Sequence, residues 1–305
     1  MVRIAAKPAL AKAALVLLLL VPTRGTFSAT QQVALKSQIR WQPSRPVSGS
    51  PILFQVSALA SAQLVSAVWM NHEVIFFRSA KTNFWCGLAG VSLETAPGTY
   101  DLRLTETLAG GKSVETLQRI KIARAVYPKI TVKVAKQYTE PSPEQLAEIS
   151  ADKNVKQTVF GAGAENPQRL WTGQFAAPVE APVSDVFGTA RVFNQQIQSR
   201  HQGLDYAAPS GTPVHAVNRG TVILARPLFF EGNCVVVDHG QGLLSLYLHL
   251  SEFKVKEGEE IQEGQVIALS GGTGRASGPH LHLAIRWHGV YLDPAILMKL
   301  KVPGD

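Results

Sequence analysis

The sequence predicts a mainly β protein in two parts, a small antiparallel sandwich followed by a hairpin-built domain. Three observations carry that expectation. Between Gln31 and Ile122, apolar runs of strand length are separated by turn signals such as Pro97-Gly98 and Gly110-Gly111. From Phe187 to Met298, short apolar strands are punctuated by glycines, and KEGEEIQEGQVI reads as a hairpin. An apolar content of 46% with 17% charged residues excludes a disordered chain, and 305 residues suffice for two cores.

Residues 1–29 read as an export signal. Arg3, Lys7 and Lys12 precede an apolar run from Ala13 to Val21, followed by Pro22 and small residues. The run is shorter than the roughly 20 residues that span a bilayer, so a cleaved signal peptide is the reading and a short uncleaved anchor its alternative. Without this segment the formal charge falls from +8 to +4. A mild, dispersed surplus favours approach to an anionic polymer and gives no argument for nucleic acid.

Residues 30–125 form the β-rich amino-terminal domain, an Ig-like sandwich. SPILFQVSA, AQLVSAVWM and HEVIFFRS read as strands, and APGTYDLRLTET and AGGKSVETLQRIKIA add two more after their turns. His72 is alone there and reads as a surface or packing residue. Residues 126–175 form a linker. ITVKVAKQY suggests a further strand, and Ser142, Pro143 and Gln145 give a helix start with a capping box. Leu146, Ile149, Lys153 and Lys156 follow helical spacing, predicting a short amphipathic helix that GAGAENP ends. WTGQFAAPVEAPVSDVFGTARVFN is Pro-rich and predicted to be extended.

In residues 176–305, GTPVHAVNRGTVILARP, NCVVVDHG, LLSLYLHL, IQEGQVIALSG and HLHLAIRWHG supply successive strands. The two cysteines, Cys86 and Cys234, have no second cysteine at metal-ligand spacing and make no disulfide framework. An exported chain could join them, but a buried free thiol is the better reading of Cys234 in its β-branched run.

Seven of the eight histidines lie between His201 and His288. His280 and His282, two apart on a strand, share one face while Leu281 and Leu283 face the other. Alone, such a pair is either a locally hydrogen-bonded buried pair or a metal site. HQGLD supplies His201 and Asp205, suitable ligand chemistry for zinc, with Gly203 letting the backbone turn; the bland alternative is a surface turn capped by Asp205. His249 in LYLHLS is a polar group on an apolar strand, read as a third contributor to the site or a satisfied core histidine. Together they fit a catalytic zinc site. His201, Asp205 and one histidine of the pair serve as ligands, the fourth position is left for water, and two histidines remain to move protons.

With HQGLD, YLHL and HLH all present, the chain resembles the LytM/lysostaphin-type zinc peptidases, whose signatures are H-x3-D, Y-x-H-L and H-x-H. The similarity runs through FGTAR, DYAAPSGTPV, GNCVVVDHG and SGGTGRASGPHLHL to YLDP. The upstream domain resembles the amino-terminal domain of many bacterial members. The resemblance implies a duplicated-hybrid-motif-like peptidase domain and Zn2+ held by His201, Asp205 and His282. It implies His249 and His280 as catalytic histidines, orienting or deprotonating the water and stabilising the tetrahedral intermediate. No H-E-x-x-H helix occurs, so the general base is histidine. The implied substrate is the peptide cross-links of bacterial peptidoglycan, with protein regulators as further partners, and the export signal without a lipid-attachment cysteine points to a periplasmic or secreted protein.

Two other readings are weighed. Some relatives lose metal ligands and activate other wall hydrolases, whereas this chain keeps all three ligands and both histidines. A lipoyl-type carrier hairpin at VKEGEEIQEGQVIALSG would need an acceptor lysine motif, which Lys254 and Lys256 do not provide. Arg275, Ser277 and Gly278, before the HLH strand, are candidate contacts to substrate backbone. Arg191 is either a contact to a substrate carboxylate or a structural ion pair. His215, His239 and His288 read as structural.

Overall fold

The computed structural model describes residues 37–131, 141–193 and 196–304. The expected export signal lies outside these residues, as does most of ITVKVAKQY. Residues from Lys36 onward pack as one compact unit, in which strands predominate as expected.

The amino-terminal strands form two four-stranded antiparallel sheets. One joins Gln38–Gln42, Pro51–Ser57, Trp85–Gly90 and Phe77–Arg78; the other joins His72–Ile75, Ala62–Trp69, Gly98–Leu108 and Ser113–Ile122. HEVIFFRS, read as one strand, is split between the two sheets, with Phe76 buried at the break. Alternation decides which side chains point inward: Leu102 and Leu104 are buried while Asp101 and Arg103 are exposed. Trp69, fully buried, donates its indole N–H to the Gly90 carbonyl in the other sheet at 2.8 Å. Each large apolar side chain so buried contributes about 1.5–3 kcal/mol of transfer free energy.

The linker helix spans Pro143–Glu165, and both halves of the Ser142–Gln145 capping box are formed. It is not short, as expected, but 23 residues long. GAGAENP ends it as expected, at Glu165 with Asn166 as C-cap and Pro167 after it, and Gly163 also serves close packing: a Cβ there would press within 2.7 Å of the Leu244 side chain. Nor is the apolar face the expected one. Leu146 is exposed, and the helix packs through Val155, Val159 and Phe160 in its second half.

The largest sheet has eight strands. Its core order is Val183–Asp185, Leu204–Tyr206, Leu281–Trp287, Leu243–Leu250, Gly232–Asp238, Gly220–Leu228 and Glu260–Ile261, with Val290–Leu292 also paired to Leu281–Trp287. Leu281–Trp287 is therefore flanked on both sides by strands carrying residues of interest. At its far end, Trp287 and His288 meet the sandwich. His72 stacks on His288 with ring centroids 5.3 Å apart and planes 17° apart, and packs edge-on to Trp287. His72 is thus a packing residue, alone in the sequence but not in space. On this strand the sandwich contact lies about 17 Å from His282 at the usual rise of a strand, while Gly49 of the sandwich also packs closely against Phe187.

His239 is structural, as expected. It is fully buried, with Nδ1 donating to the Arg219 carbonyl and Nε2 facing the Ser245 hydroxyl, each at 2.8 Å. Burial pushes its pKa down to about 4. An unfolded histidine titrates near 6.5, so between about pH 6.5 and 4 the unfolded chain binds a proton that the native ring does not. Stability should therefore fall as pH is lowered through that window, by up to ~3 kcal/mol from this residue. Urea midpoints at pH 7 and pH 5 check it: His239→Asn should show the shallower dependence, and identical slopes would count against it. Cys86 and Cys234 are both free and buried, and burial pushes the Cys86 thiol up to about 11.

Candidate metal centre

The strand register brings the site together. Asp185, Asp205, His282 and Leu248 lie opposite one another in a single row across four neighbouring strands. Side chains opposite each other on one face of an antiparallel pair are about 5 Å apart at Cβ, so Asp205 and His282 meet without any special loop. Leu281 and Leu283, between and beyond the histidines, are completely buried on the other face. Local geometry supplies the third group. His201, in the turn before Leu204–Tyr206, is 3% exposed and aims Nε2 at the Asp205 carboxylate.

His201 Nε2, Asp205 Oδ1 and His282 Nδ1 form a triangle with sides of 3.1, 2.7 and 3.0 Å. A tetrahedral ion with bonds of about 2.0–2.1 Å sets its ligand atoms about 3.3 Å apart, close to these spacings. The tautomers sharpen the fit. His201 Nδ1 donates to the Val186 carbonyl at 2.9 Å, with Asp185 Oδ2 3.3 Å away. In the neutral ring Nε2 is then a bare lone pair facing a carboxylate oxygen, an arrangement that only a proton or a cation between them relieves. Burial pushes the Asp205 pKa upward, but hydrogen bonds and charge from His201 and His282 outweigh it and hold the carboxyl well below its usual range. For His282 burial dominates and lowers the pKa, opposed by Asp205. A neutral imidazole with an ionised carboxylate is the state that binds a metal.

Gly203 lies in the expected bend before Leu204 and has a second role. Its conformation is ordinary, but a Cβ there would overlap the His282 ring and the Leu283 carbonyl. Gly203→Ala should push His282 off the triangle and weaken metal binding about 10–100-fold, the usual cost of losing a ligand's outer support. Competition with a chromophoric chelator measures this, and unchanged affinity would refute the steric account.

Two further histidines crowd this group. The His249 ring centroid lies 4.7 Å from that of His280 and 6.1 Å from that of His282, and His280 Nε2 is 3.9 Å from Asp205 Oδ1. His249 reaches the site through a β-bulge: Leu248 and His249 together oppose Cys234 alone, between the pairs Val235–Tyr247 and Asn233–Leu250. At the bulge His249 takes φ +62°, a left-handed conformation costing about 1–2 kcal/mol for a residue with a Cβ. Without it, His249 would face away from Leu248 and from the row that holds His282. Nδ1 of His249 donates to the Thr273 carbonyl and Nδ1 of His280 to the Gly278 carbonyl, each at 2.8 Å, which leaves both Nε2 atoms free for the site. Burial pushes the His249 pKa down to about 4.

Three of the expected substrate contacts share the loop before His280, and Arg191 lies apart from them. Arg191 pairs with Asp185 at 3.5 Å, behind His201. Gly278 holds His280 through its carbonyl. The Arg275 guanidinium lies 4.8 Å over the Phe230 ring, and Ser277 is exposed on the same loop. Asp185, Thr273 and the Gly278 carbonyl, which orient the histidines, were not legible in the sequence. None sits at a recognisable spacing from the group it supports.

A model of peptidase family M23 matches residues 199–294. The peptidoglycan DD-endopeptidase ShyA of Vibrio cholerae is 44% identical over 103 residues, 34% of this chain and 23% of that protein. The DD-carboxypeptidase/endopeptidase Mpg of Neisseria meningitidis is 44% identical over 94 residues, 31% of this chain and 22% of that protein. The matched stretch thus spans less than a quarter of these curated relatives. A crystal structure from Pseudomonas aeruginosa described under peptidase M23 is 29% identical with a TM-score of 0.62, covering 83% of this chain and 95% of that one. That likeness extends well beyond residues 199–294, into the amino-terminal sandwich.

Proposed function

We propose, from the premise that residues 199–294 are a domain of peptidase family M23, that the protein is an exported zinc metalloendopeptidase hydrolysing peptide cross-links of bacterial peptidoglycan. The observation that carries this reading is the convergence of His201, Asp205 and His282 with His249 and His280 in one cluster. ShyA, named a peptidoglycan DD-endopeptidase, and Mpg, named a DD-carboxypeptidase/endopeptidase, support the substrate class. The basic and apolar segment at residues 1–29 supports action in the periplasm or outside the cell. Among the described residues no helix is long and apolar enough to cross a membrane.

In this reading His201 Nε2, Asp205 Oδ1 and His282 Nδ1 hold the zinc. Zinc held there would supply a polarised water with its pKa lowered to about 7. His249, kept neutral by burial, offers Nε2 as the acceptor of a proton at neutral pH. His280 aims its Nε2 into the same space, so the pair divides between taking the water's proton and stabilising the tetrahedral oxyanion. Asp185 steadies His201, and the ion pair to Arg191 steadies Asp185. We assign Arg275, Ser277 and Gly278 to the groove wall beside an extended peptide.

A non-catalytic activator of other wall hydrolases would need neither the complete ligand set nor two histidines with Nε2 free. The deciding experiment digests purified wall fragments with residues 30–305, with and without a zinc chelator, and reads the products by mass. Chelator-sensitive release of peptide fragments is expected. No release from any wall type by the zinc-bound protein would overturn the peptidase reading in favour of the activator.

A further inference from the structure

We propose that the helix Pro143–Glu165 belongs to the catalytic apparatus, with Lys156 and Asp152 as positioning residues that hold His249 in its working orientation. The proposal rests on His249 being a catalytic residue, as above. The link runs through the turn at residues 229–233. Asp152 Oδ2 accepts the Phe229 N–H at 2.6 Å, and Lys156 Nζ pairs with Glu231 Oε1 at 2.5 Å. The same turn holds the catalytic strand: His249 N–H donates to the Glu231 carbonyl at 2.9 Å. It also holds the loop that fixes the His249 ring. The Asn233 N–H donates to Thr273 Oγ1 and the Arg275 N–H to the Phe230 carbonyl, each at 2.9 Å. Gly232, at φ +64°, lies so close to Thr273 that no Cβ would fit between them. Thr273 is the residue whose carbonyl accepts from His249 Nδ1.

His249 needs such support. It sits at a bulge with a left-handed backbone, a conformation that persists only where its surroundings over-determine it. Glu231 supplies one of those restraints through its main chain, while its side chain is clamped by the helix. The Glu231 carboxylate is half-buried, and its Oε2 is buried with no hydrogen-bond partner among the described residues. Without the Lys156 ammonium, that charge would be left uncompensated and would turn toward water, taking the Glu231 carbonyl with it. Docking of the helix does not require the pair, because Val155, Val159 and Phe160 anchor it on the cluster of Leu224, Leu228, Val236 and Leu244.

The test compares Lys156→Ala and Lys156→Arg in the full chain, each with His249 present and as His249→Ala. Lys156→Ala should lower kcat for wall-peptide cleavage about tenfold, leaving KM and zinc content unchanged, and Lys156→Arg should restore most of it. In the His249→Ala background Lys156→Ala should add no further loss, since residues acting through one group are not additive. A substrate-free readout is the 15N spectrum of the His249 ring in histidine-labelled protein. It should show one Nδ1–H tautomer in the unaltered chain and a mixture in Lys156→Ala. Asp152→Ala should behave alike and serves if Lys156→Ala does not fold. Equal losses in both backgrounds, or unchanged ring signals, overturn the positioning role. If the unaltered protein cleaves no wall peptide, the function reading fails, and the ring signals alone decide this one.

Discussion

His282→Ala is expected to abolish zinc binding and reduce wall-peptide cleavage to background. The variant leaves His201 and Asp205, a two-ligand remnant of a site whose geometry depends on three atoms 2.7–3.1 Å apart. Zinc needs three protein groups to leave one open position, so affinity collapses and does not merely weaken. The effect has a signature independent of activity. A ligand that binds only the native state raises stability by RT ln(1 + [L]/Kd), about 2.7 kcal/mol at a hundredfold excess over Kd. Added zinc should therefore raise the Tm of the unaltered protein and leave that of His282→Ala unmoved. Even without metal the variant should be less stable, because the buried Asp205 carboxylate loses the His282 Nδ1 that faces it at 2.7 Å, a change of about 1–3 kcal/mol. Acid should mimic the substitution, since the ligating imidazoles must be deprotonated and zinc affinity falls as pH drops. Stoichiometric zinc in purified His282→Ala would show that the ion sits elsewhere.

The parts of this centre that were legible in the sequence are those fixed by short-range periodicity. H-x-H puts two rings on one face of a strand whatever surrounds it, and H-x3-D spans a single turn. The helix start was legible for the same reason, because Ser142, Pro143 and Gln145 satisfy the first N–H groups locally. So was its end, which falls at Glu165 within GAGAENP, capped by Asn166 before Pro167. The packing role of Gly163 was not, because it is set by Leu244, a residue on a distant strand. The apolar face of the helix likewise depends on which strand surface it meets, and spacing alone chose Leu146 over Val155 and Val159. His72 appeared isolated because its stacking partner, His288, belongs to the other end of the chain. The supports of the site, Asp185 behind His201 and the carbonyls of Thr273 and Gly278, are likewise tertiary contacts. The two carbonyls leave no trace at all in side-chain identity.

His249→Ala separates the chemistry from the metal. The three atoms that could hold the ion belong to His201, Asp205 and His282, and His249 is not among them, so in this reading zinc content and the zinc-dependent rise in Tm should persist. Turnover should nevertheless fall by about 10²–10⁴-fold, the usual size of a lost acid–base group, with KM changing much less. The pH dependence carries a second test. With His249 titrating near 4 in the native protein, its Nε2 stays available as a proton acceptor down to mildly acid pH. Loss of activity between pH 7 and 5 should then follow zinc release and not protonation of this ring. Saturating zinc should accordingly extend the acid limb in the unaltered protein. His280→Ala should give a loss of similar size, and the double variant should lose far less than the product of the two, because both rings serve one reacting centre. Equal zinc loss in His249→Ala and His282→Ala would contradict this division of labour and would place His249 among the ligands. Retained zinc with near-normal turnover would instead reduce His249 to a core histidine, and its left-handed backbone would then be a strain without a purpose.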